Sequence, residues 1–179
     1  MRRLLLAAAA ALAVTSPHAH AGEGGDGTAM IRRCITAAAE VHRLPPAVLV
    51  ILLRVEGGSL GAVSQNVNAP PDIGPMQVNQ IWLPQVAAHW HATTANAYHA
   101  LRDNFCANIE AGAWILRRGL DEARGDFWEG VAYYHSHTPE HKAAYLRQVL
   151  KQALLLQARA AHAAEPVPPG TTAAIVASR

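Results

Sequence analysis

The stretch RVEGGSLGAVSQNVNAPPDIGPMQVN, residues 54–79, contains the features on which the predicted fold depends. An apolar run, residues 48–53, comes just before a carboxylate, Glu56, and two glycines. Glu56 follows Leu52 by four positions, so it lies on the apolar face of the predicted helix rather than opposite to it. Burial and the helix dipole both favour the neutral acid there, and we expect a raised pKa. Such a group can serve as a general acid, whereas pairing with Arg54 would make it structural.

The first 21 residues have the organisation of an export signal. Two arginines precede an apolar stretch, residues 4–14, and Ala19-His20-Ala21 forms a small-residue cleavage site. About eleven apolar residues are too few to span a bilayer, so we expect a secretory signal peptide at 1–21. A buried N-terminal helix is the alternative, but no polar face repeats at helical spacing. We therefore expect a mature chain that begins near Gly22, is soluble in the periplasm and has no transmembrane anchor.

Composition predicts one domain and argues against a nucleic-acid partner. Of 15 basic residues, two lie in the leader, which leaves 13 against 13 acidic residues. Nucleic-acid binding depends on a basic surface, so we expect no such partner. Apolar residues make up 51% of the sequence, enough for a core, and we expect a monomer with one domain at residues 22–163. Residues 164–179, rich in proline and without aromatics, are predicted to form a disordered tail.

The apolar spacing and the capping residues predict an all-α domain. Helices are expected at residues 29–42, 46–56, 80–89, 104–123, 127–134 and 139–163, with another after a cap at Thr93 or Thr94. Residues 59–71 form a polar loop that leaves room for a short irregular or β segment. The last helix is predicted to bury one apolar stripe, made of Leu146, Val149, Leu150, Ala153 and Leu154.

The two cysteines, Cys34 and Cys106, are expected to pair. An even number of cysteines in an exported chain suggests a disulfide, which would stabilise the fold by about 4 kcal/mol on the chain-entropy model. Two separate buried thiols are the alternative. A zinc site would require ligands at closer spacing.

Several motifs, in order between Cys34 and Leu150, resemble the lytic transglycosylase family of the lysozyme superfamily. They are Glu56, the segment Gly74-Pro75-Met76-Gln77-Val78 about twenty residues later, Cys106-Ala107-Asn108, Gly112-Ala113-Trp114-Ile115-Leu116 and Ala132-Tyr133. The match is strongest to small exported members that accompany conjugation, pilus and secretion machines. Three positions depart from the family pattern: Gly57 replaces Ser, Pro75 replaces Leu and Tyr134 replaces Asn.

The resemblance implies a goose-type lysozyme-like fold and a peptidoglycan substrate. Glu56 matches the sole catalytic acid/base of the family. The residues matching positions that line the sugar groove are Ser64, Met76, Gln77 and Asn79. Tyr133 matches a tyrosine that hydrogen-bonds near the acid, although the change at Tyr134 leaves open whether Tyr133, Tyr134 or His135 makes this contact. No metal and no organic cofactor is implied.

The implied reaction needs one carboxylate, whereas ordinary glycosidases need two. On this resemblance, Glu56 would protonate the oxygen of the β-1,4 bond between N-acetylmuramic acid and N-acetylglucosamine. It would then take the proton of the muramic acid 6-hydroxyl as O6 closes onto C1, which implies a carbon–oxygen lyase. If Asp72 faced Glu56 across the groove, the protein would instead be a hydrolytic muramidase. We expect Asp72 to be a cap or turn residue, because it follows two prolines.

Two further alternatives are compatible with the sequence. Eight histidines follow the leader, and His89, His91, His135, His137 and His141 could suggest a zinc hydrolase. No H-E-x-x-H motif is present, and we expect these histidines to be solvated or capping residues. The other alternative is a peptidoglycan-binding scaffold that keeps the fold without the reaction.

Overall fold

The computed structural model describes residues 23–164 of the chain. The predicted signal peptide and residues 165–179 of the predicted tail lie outside the described residues. The described part is mostly helical, which confirms the predicted fold class. Its α-helices are α1 (Glu23–His42), α2 (Pro46–Glu56), α3 (Leu83–His89), α4 (Thr94–Asp103), α5 (Phe105–Glu122), α6 (Phe127–Tyr133) and α7 (Pro139–Ala164).

A three-stranded antiparallel sheet occupies the polar loop that follows α2. Its strands are β1 (Val63–Asn66), β2 (Ala69–Ile73) and β3 (Val78–Asn79), in the order β1-β2-β3. A 3-10 turn (Gln80–Trp82) then leads into α3, so the helix predicted over residues 80–89 is divided in two. The register places Ser64 and Asn79 opposite Asp72, one on each side. Side chains that are separated in sequence thus meet on one small surface.

Helix α5 is the centre of the molecule. It packs against α1, α4 and α6, and it buries a face that includes Ile109, Ala113, Leu116 and Leu120. Asn108, on the same helix, is also fully buried. Its side-chain amide donates to the carbonyls of Ile73 and Leu101, and its Oδ1 accepts from the backbone N–H of Met76. One buried side chain therefore connects α5 to α4 and to the turn after β2.

The predicted disulfide is confirmed. Cys34 of α1 and Cys106 of α5 are bonded, with their Cα atoms 4.9 Å apart. The bond joins the first helix to the central helix across 72 positions of sequence. It therefore constrains a large part of the unfolded chain, which is the basis of its stabilising effect.

The predicted apolar stripe of α7 is wrong in its second half. Tyr145 and Val149 are buried, but Leu150 and Leu154 are 51% and 56% exposed. The reason is geometric: α7 packs against α2 and α6, and this 26-residue helix extends past the surface that they provide. The periodicity of the sequence does not reveal where the supporting helices end.

Within residues 23–164, no single helix is long and apolar enough to cross a membrane. The segments Gly25–His42 and Pro46–Glu56 have the length and composition of a membrane span only when they are taken together. They are bent by 118° at the break between them.

Candidate active site

A groove of about 730 Å³ runs between the sheet and the segment that follows α6. A smaller depression of about 320 Å³ continues it past Trp82 and Tyr133. The polar and aromatic side chains that line the groove are Glu56, Asn66, Asp72, Gln77, Asn79, Trp82, Tyr133, Tyr134, His135, Ser136, His137 and His141. Amides, carboxylates and flat rings in one open trench suit a carbohydrate, which offers hydroxyl groups and apolar ring faces.

Glu56 is the last residue of α2 and forms part of the groove wall. Burial raises its pKa from 4.5 to about 7, as the apolar positions before it in sequence predicted. The hydroxyl of Tyr145 donates to Oε1 at 2.6 Å and lowers the pKa, while the negative charge of Asp72 raises it. Burial outweighs the hydrogen bond, so a large fraction of Glu56 is protonated at neutral pH.

The two glycines after Glu56 are needed for different reasons, Gly57 for its backbone conformation and Gly58 for lack of space. Gly57 ends α2 in the left-handed region, with φ of 62°, and its N–H donates to the carbonyl of Leu53. A Cβ on Gly58 would lie 2.1 Å from the carbonyl oxygen of Gly74 and 2.5 Å from Nε2 of Gln77. A side chain at position 58 would therefore separate the end of α2 from the turn that carries Gln77.

Asp72 is not the cap or turn residue that the sequence suggested. It lies within β2 and lines the groove with Glu56. The Nδ2 groups of Asn66 and Asn79 donate to its two carboxylate oxygens, each at 2.8 Å. The interpretation from the adjacent prolines was wrong because those prolines belong to the strand itself.

The predicted sugar-binding residues divide into two groups. Gln77 and Asn79 line the groove. Ser64 lies on β1 opposite Asp72 but is not among the lining residues, and Met76 is fully buried with its side chain against Gly112. A groove-lining role for the Met76 side chain is therefore wrong. Its backbone supports the site instead, because its carbonyl accepts from the hydroxyl of Tyr134 at 2.8 Å.

Tyr133 is not the residue that hydrogen-bonds Glu56. Tyr133 lies on the outer part of the groove, stacked on His137 at 4.1 Å, and makes no hydrogen bond to Glu56. Tyr134 occupies the inner position: burial raises its pKa well above the usual value, and the charges of Glu56 and Asp72 raise it further. The hydrogen bond to the acid comes from none of the three candidates but from Tyr145 of α7.

The family model described as "Transglycosylase SLT domain" matches residues 33–157, which include the groove, Glu56 and Tyr145. The chain belongs to the SLT transglycosylase family. No curated protein matches the chain significantly. Membership in the family supports a lysozyme-like fold and an activity on peptidoglycan in general.

Sequence reasoning missed two side chains of the SLT site, Tyr145, which donates to the acid, and Trp82, which forms one wall of the groove. His135, a candidate for the contact with the acid, instead stacks parallel to Tyr145 at 4.7 Å. Burial lowers the pKa of His135, as does the charge of His141, while Asp72 opposes them. One signal for Tyr145 was available: it precedes Val149 by four positions on a buried face, and a buried tyrosine needs a partner for its hydroxyl.

The five histidines behind the zinc-hydrolase alternative lie in two regions of the SLT domain. His135, His137 and His141 line the groove, and His137 also bonds Oε1 of Glu122 at 3.0 Å. His89 and His91 lie at the end of α3, outside the groove lining. The five histidines behind the zinc-hydrolase alternative thus do not converge on one point in the part of the chain that the structure describes.

The phenylalanine variant of Tyr145 tests whether this hydroxyl lowers the pKa of Glu56. Tyr145→Phe removes a donor that favours the charged form, so the pKa of Glu56 should rise above about 7. Activity that requires protonated Glu56 falls as pH rises through this pKa, and the alkaline limb of the rate profile should therefore move to higher pH. The measurement is the pH dependence of kcat/KM on purified peptidoglycan. Tyr98→Phe, outside the groove, is the matched control; an unchanged limb in Tyr145→Phe would refute the tuning role.

Proposed function

We propose that the protein is a peptidoglycan lytic transglycosylase in which Glu56 acts first as acid and then as base. It cleaves the β-1,4 bond between N-acetylmuramic acid and N-acetylglucosamine and leaves a 1,6-anhydro-N-acetylmuramic acid end. The observation that carries the proposal is a partly buried carboxyl in the wall of an open groove, where burial raises its pKa to about 7. A general acid works best when its pKa lies near the working pH.

The first step transfers a proton from Glu56 to the glycosidic oxygen. Because Oε1 accepts from Tyr145, the neutral acid carries its proton on Oε2. The C1–O bond breaks with its electron pair on the departing oxygen, which takes that proton. The 2-acetamido group of the muramic acid stabilises the cation that develops at C1. Glu56 becomes a carboxylate, and the bond from Tyr145 then stabilises its charge.

The second step restores the acid. The carboxylate of Glu56 takes the proton of the muramic acid 6-hydroxyl as O6 forms a bond to C1. The product is the 1,6-anhydro ring, and Glu56 is again protonated. Atoms and charge balance without water, so one carboxyl suffices for both proton transfers.

The groove supports a glycan strand as the substrate. Trp82 and Tyr133 offer flat ring faces, and Gln77 and Asn79 offer amides along the same trench. The Nδ2 group of Asn79 donates its two hydrogens to the Pro70 carbonyl at 2.9 Å and to Asp72, which fixes the direction of its Oδ1. This oxygen, which also accepts from the Ile81 N–H, can accept from a sugar hydroxyl. Preorganised polar groups lose little conformational entropy when they bind hydroxyl groups.

The placement of Asp72 favours a second candidate function, a hydrolytic muramidase. An ionised Asp72 on the opposite side of the substrate from Glu56 could position a water for attack at C1. Against this, both oxygens of Asp72 already accept hydrogen bonds from asparagine amides, which restricts their direction. We infer that Asp72 serves to orient the side chains of Asn66 and Asn79.

Product analysis distinguishes the two reactions. Purified peptidoglycan is digested with wild type and Asp72→Asn, and the products are weighed by mass spectrometry. We expect anhydro products, one water lighter than reducing ends, from both proteins. Asp72→Asn removes a charge that raises the pKa of Glu56, so its alkaline limb should move to lower pH while the reaction type is unchanged. Reducing ends in the wild-type products would assign the hydrolytic mechanism.

The proposal extends to location and partners. Export to the periplasm is supported by the predicted signal peptide at residues 1–21. A role in opening the wall locally for a conjugation, pilus or secretion machine is supported by the sequence resemblance to members that accompany such machines.

A further inference from the structure

Two histidines and one glutamate converge at a place remote from the groove. His42 comes from the last turn of α1, His89 is the last residue of α3, and Glu110 lies on α5. The Nε2 atoms of His42 and His89 lie 2.8 Å and 2.9 Å from Oε1 of Glu110. The three ligand atoms all lie within 4.8 Å of one another, and none of these residues lines the groove.

The cluster is partly shielded from solvent. The side chain of His42 is 7% exposed, and those of His89 and Glu110 are 30% and 26% exposed. Among the residues that the structure describes, His42 and Asn108 are the buried polar side chains. The burial of Asn108 is explained by its three hydrogen bonds, whereas His42 is directed at Glu110. This contact therefore accounts for a histidine in the core.

The carboxylate of Glu110 is surrounded by hydrogen-bonding groups. Its Oε1 lies within hydrogen-bonding distance of the Nε2 atoms of His42 and His89, and its Oε2 accepts from the indole Nε1 of Trp90. Within residues 25–164, no lysine or arginine nitrogen lies within 4 Å of this carboxylate, and its ion-pair partners are the two imidazoles. A partly buried negative charge beside two imidazoles is well suited to a cation.

We propose that His42, His89 and Glu110 bind a zinc ion that is distinct from the catalytic groove. Imidazole nitrogen and carboxylate oxygen are ordinary zinc donors, at about 2.0–2.2 Å from the metal. Ligands of one tetrahedral ion at that distance lie about 3.3 Å apart, so small side-chain rotations close the site. Three protein ligands leave the fourth position to water.

Neighbouring aromatic residues hold the ligands in place. The indole Nε1 of Trp90 donates to Oε2 of Glu110 at 2.5 Å, and the ring of Trp114 stacks on His89 at 4.8 Å. Contacts of this kind orient metal ligands and commonly change metal affinity by about 10–100-fold. Trp114 also meets Trp82 edge to face at 6.0 Å. The ion would therefore join α1, α3 and α5 behind Trp82, which lines the groove.

The test is zinc titration of tag-free, chelator-treated full-length mature protein by calorimetry. We expect one zinc per chain, with affinity weakened more than about 100-fold in His89→Gln and Glu110→Gln, and about 10-fold in Trp90→Phe. His91→Asn is the matched control: His91 lies two positions from His89, is exposed and has φ of 51°, which asparagine tolerates. It should bind zinc as wild type does.

Cobalt gives an independent readout of the same site. Co²⁺ in place of zinc should produce the intense visible bands of four-coordinate cobalt in wild type and in His91→Asn, and these bands should be absent in His89→Gln. Circular dichroism of each apo variant verifies the fold, and Trp90→Phe keeps all three ligands if Glu110→Gln does not fold. The proposal fails if wild type shows no saturable binding of one zinc, or if His89→Gln and Trp90→Phe both bind as wild type does.

Discussion

Glu56→Gln is expected to reduce the release of anhydro products from purified peptidoglycan by about 10²–10⁴-fold. The amide has nearly the shape of the acid but can neither donate a proton to the glycosidic oxygen nor take one from the 6-hydroxyl. Tyr145 can still donate to the carbonyl oxygen of the amide, so the local structure should be kept. The measurement is the initial rate of product release, quantified by mass spectrometry.

The matched control for this variant is Glu40→Gln, the same chemical change on the exposed face of α1. It should cut peptidoglycan at the wild-type rate. The experiment also decides between an enzyme and a scaffold that only binds the wall. If Glu56→Gln and wild type release product equally, Glu56 is not the acid; if neither releases product while both bind sacculi, the scaffold alternative is correct.

Asn108→Ala is expected to lower the free energy of unfolding by about 3–9 kcal/mol. The substitution leaves the N–H of Met76 and the carbonyls of Ile73 and Leu101 without their buried partner. Each unsatisfied buried group costs about 1–3 kcal/mol. The measurement is urea unfolding followed by circular dichroism, with Asn96→Ala on the exposed face of α4 as the control.

The same substitution should affect the groove before the whole domain unfolds. Asn108 supports the turn at Gly74, where φ is 70° and a Cβ would lie 2.4 Å from the Asn108 amide. Loss of that support should loosen the segment that carries Gln77 into the groove. An Asn108→Ala protein with the urea midpoint of wild type would show that these hydrogen bonds contribute no net stability.

Features fixed by neighbours in sequence were predictable. Thr93 and Asp126 accept from backbone N–H groups at the start of α4 and α6, as expected of capping residues. The burial of Glu56 followed from its spacing to Leu52, and the raised pKa followed from burial. These features depend on contacts within one or two helical turns.

Features fixed by tertiary placement were not predictable. Whether Asp72 faces the groove depends on the register of a short sheet, in which a shift of one residue reverses the face. The bond from Tyr145 joins residues 89 positions apart. The separation of Tyr133 from the acid, and the inner position of Tyr134, depend on how the end of α6 packs over Met76.

The acid and the hydroxyl that holds it come from opposite ends of the domain, since Glu56 ends the second helix and Tyr145 belongs to the seventh. A nascent or truncated chain that stops before the last helix therefore has a glutamate without its tuning partner. On the proposed function, the pH range in which the acid is protonated is therefore set only when α7 docks against α2. The helix that carries the acid does not by itself determine the conditions under which the wall is cut.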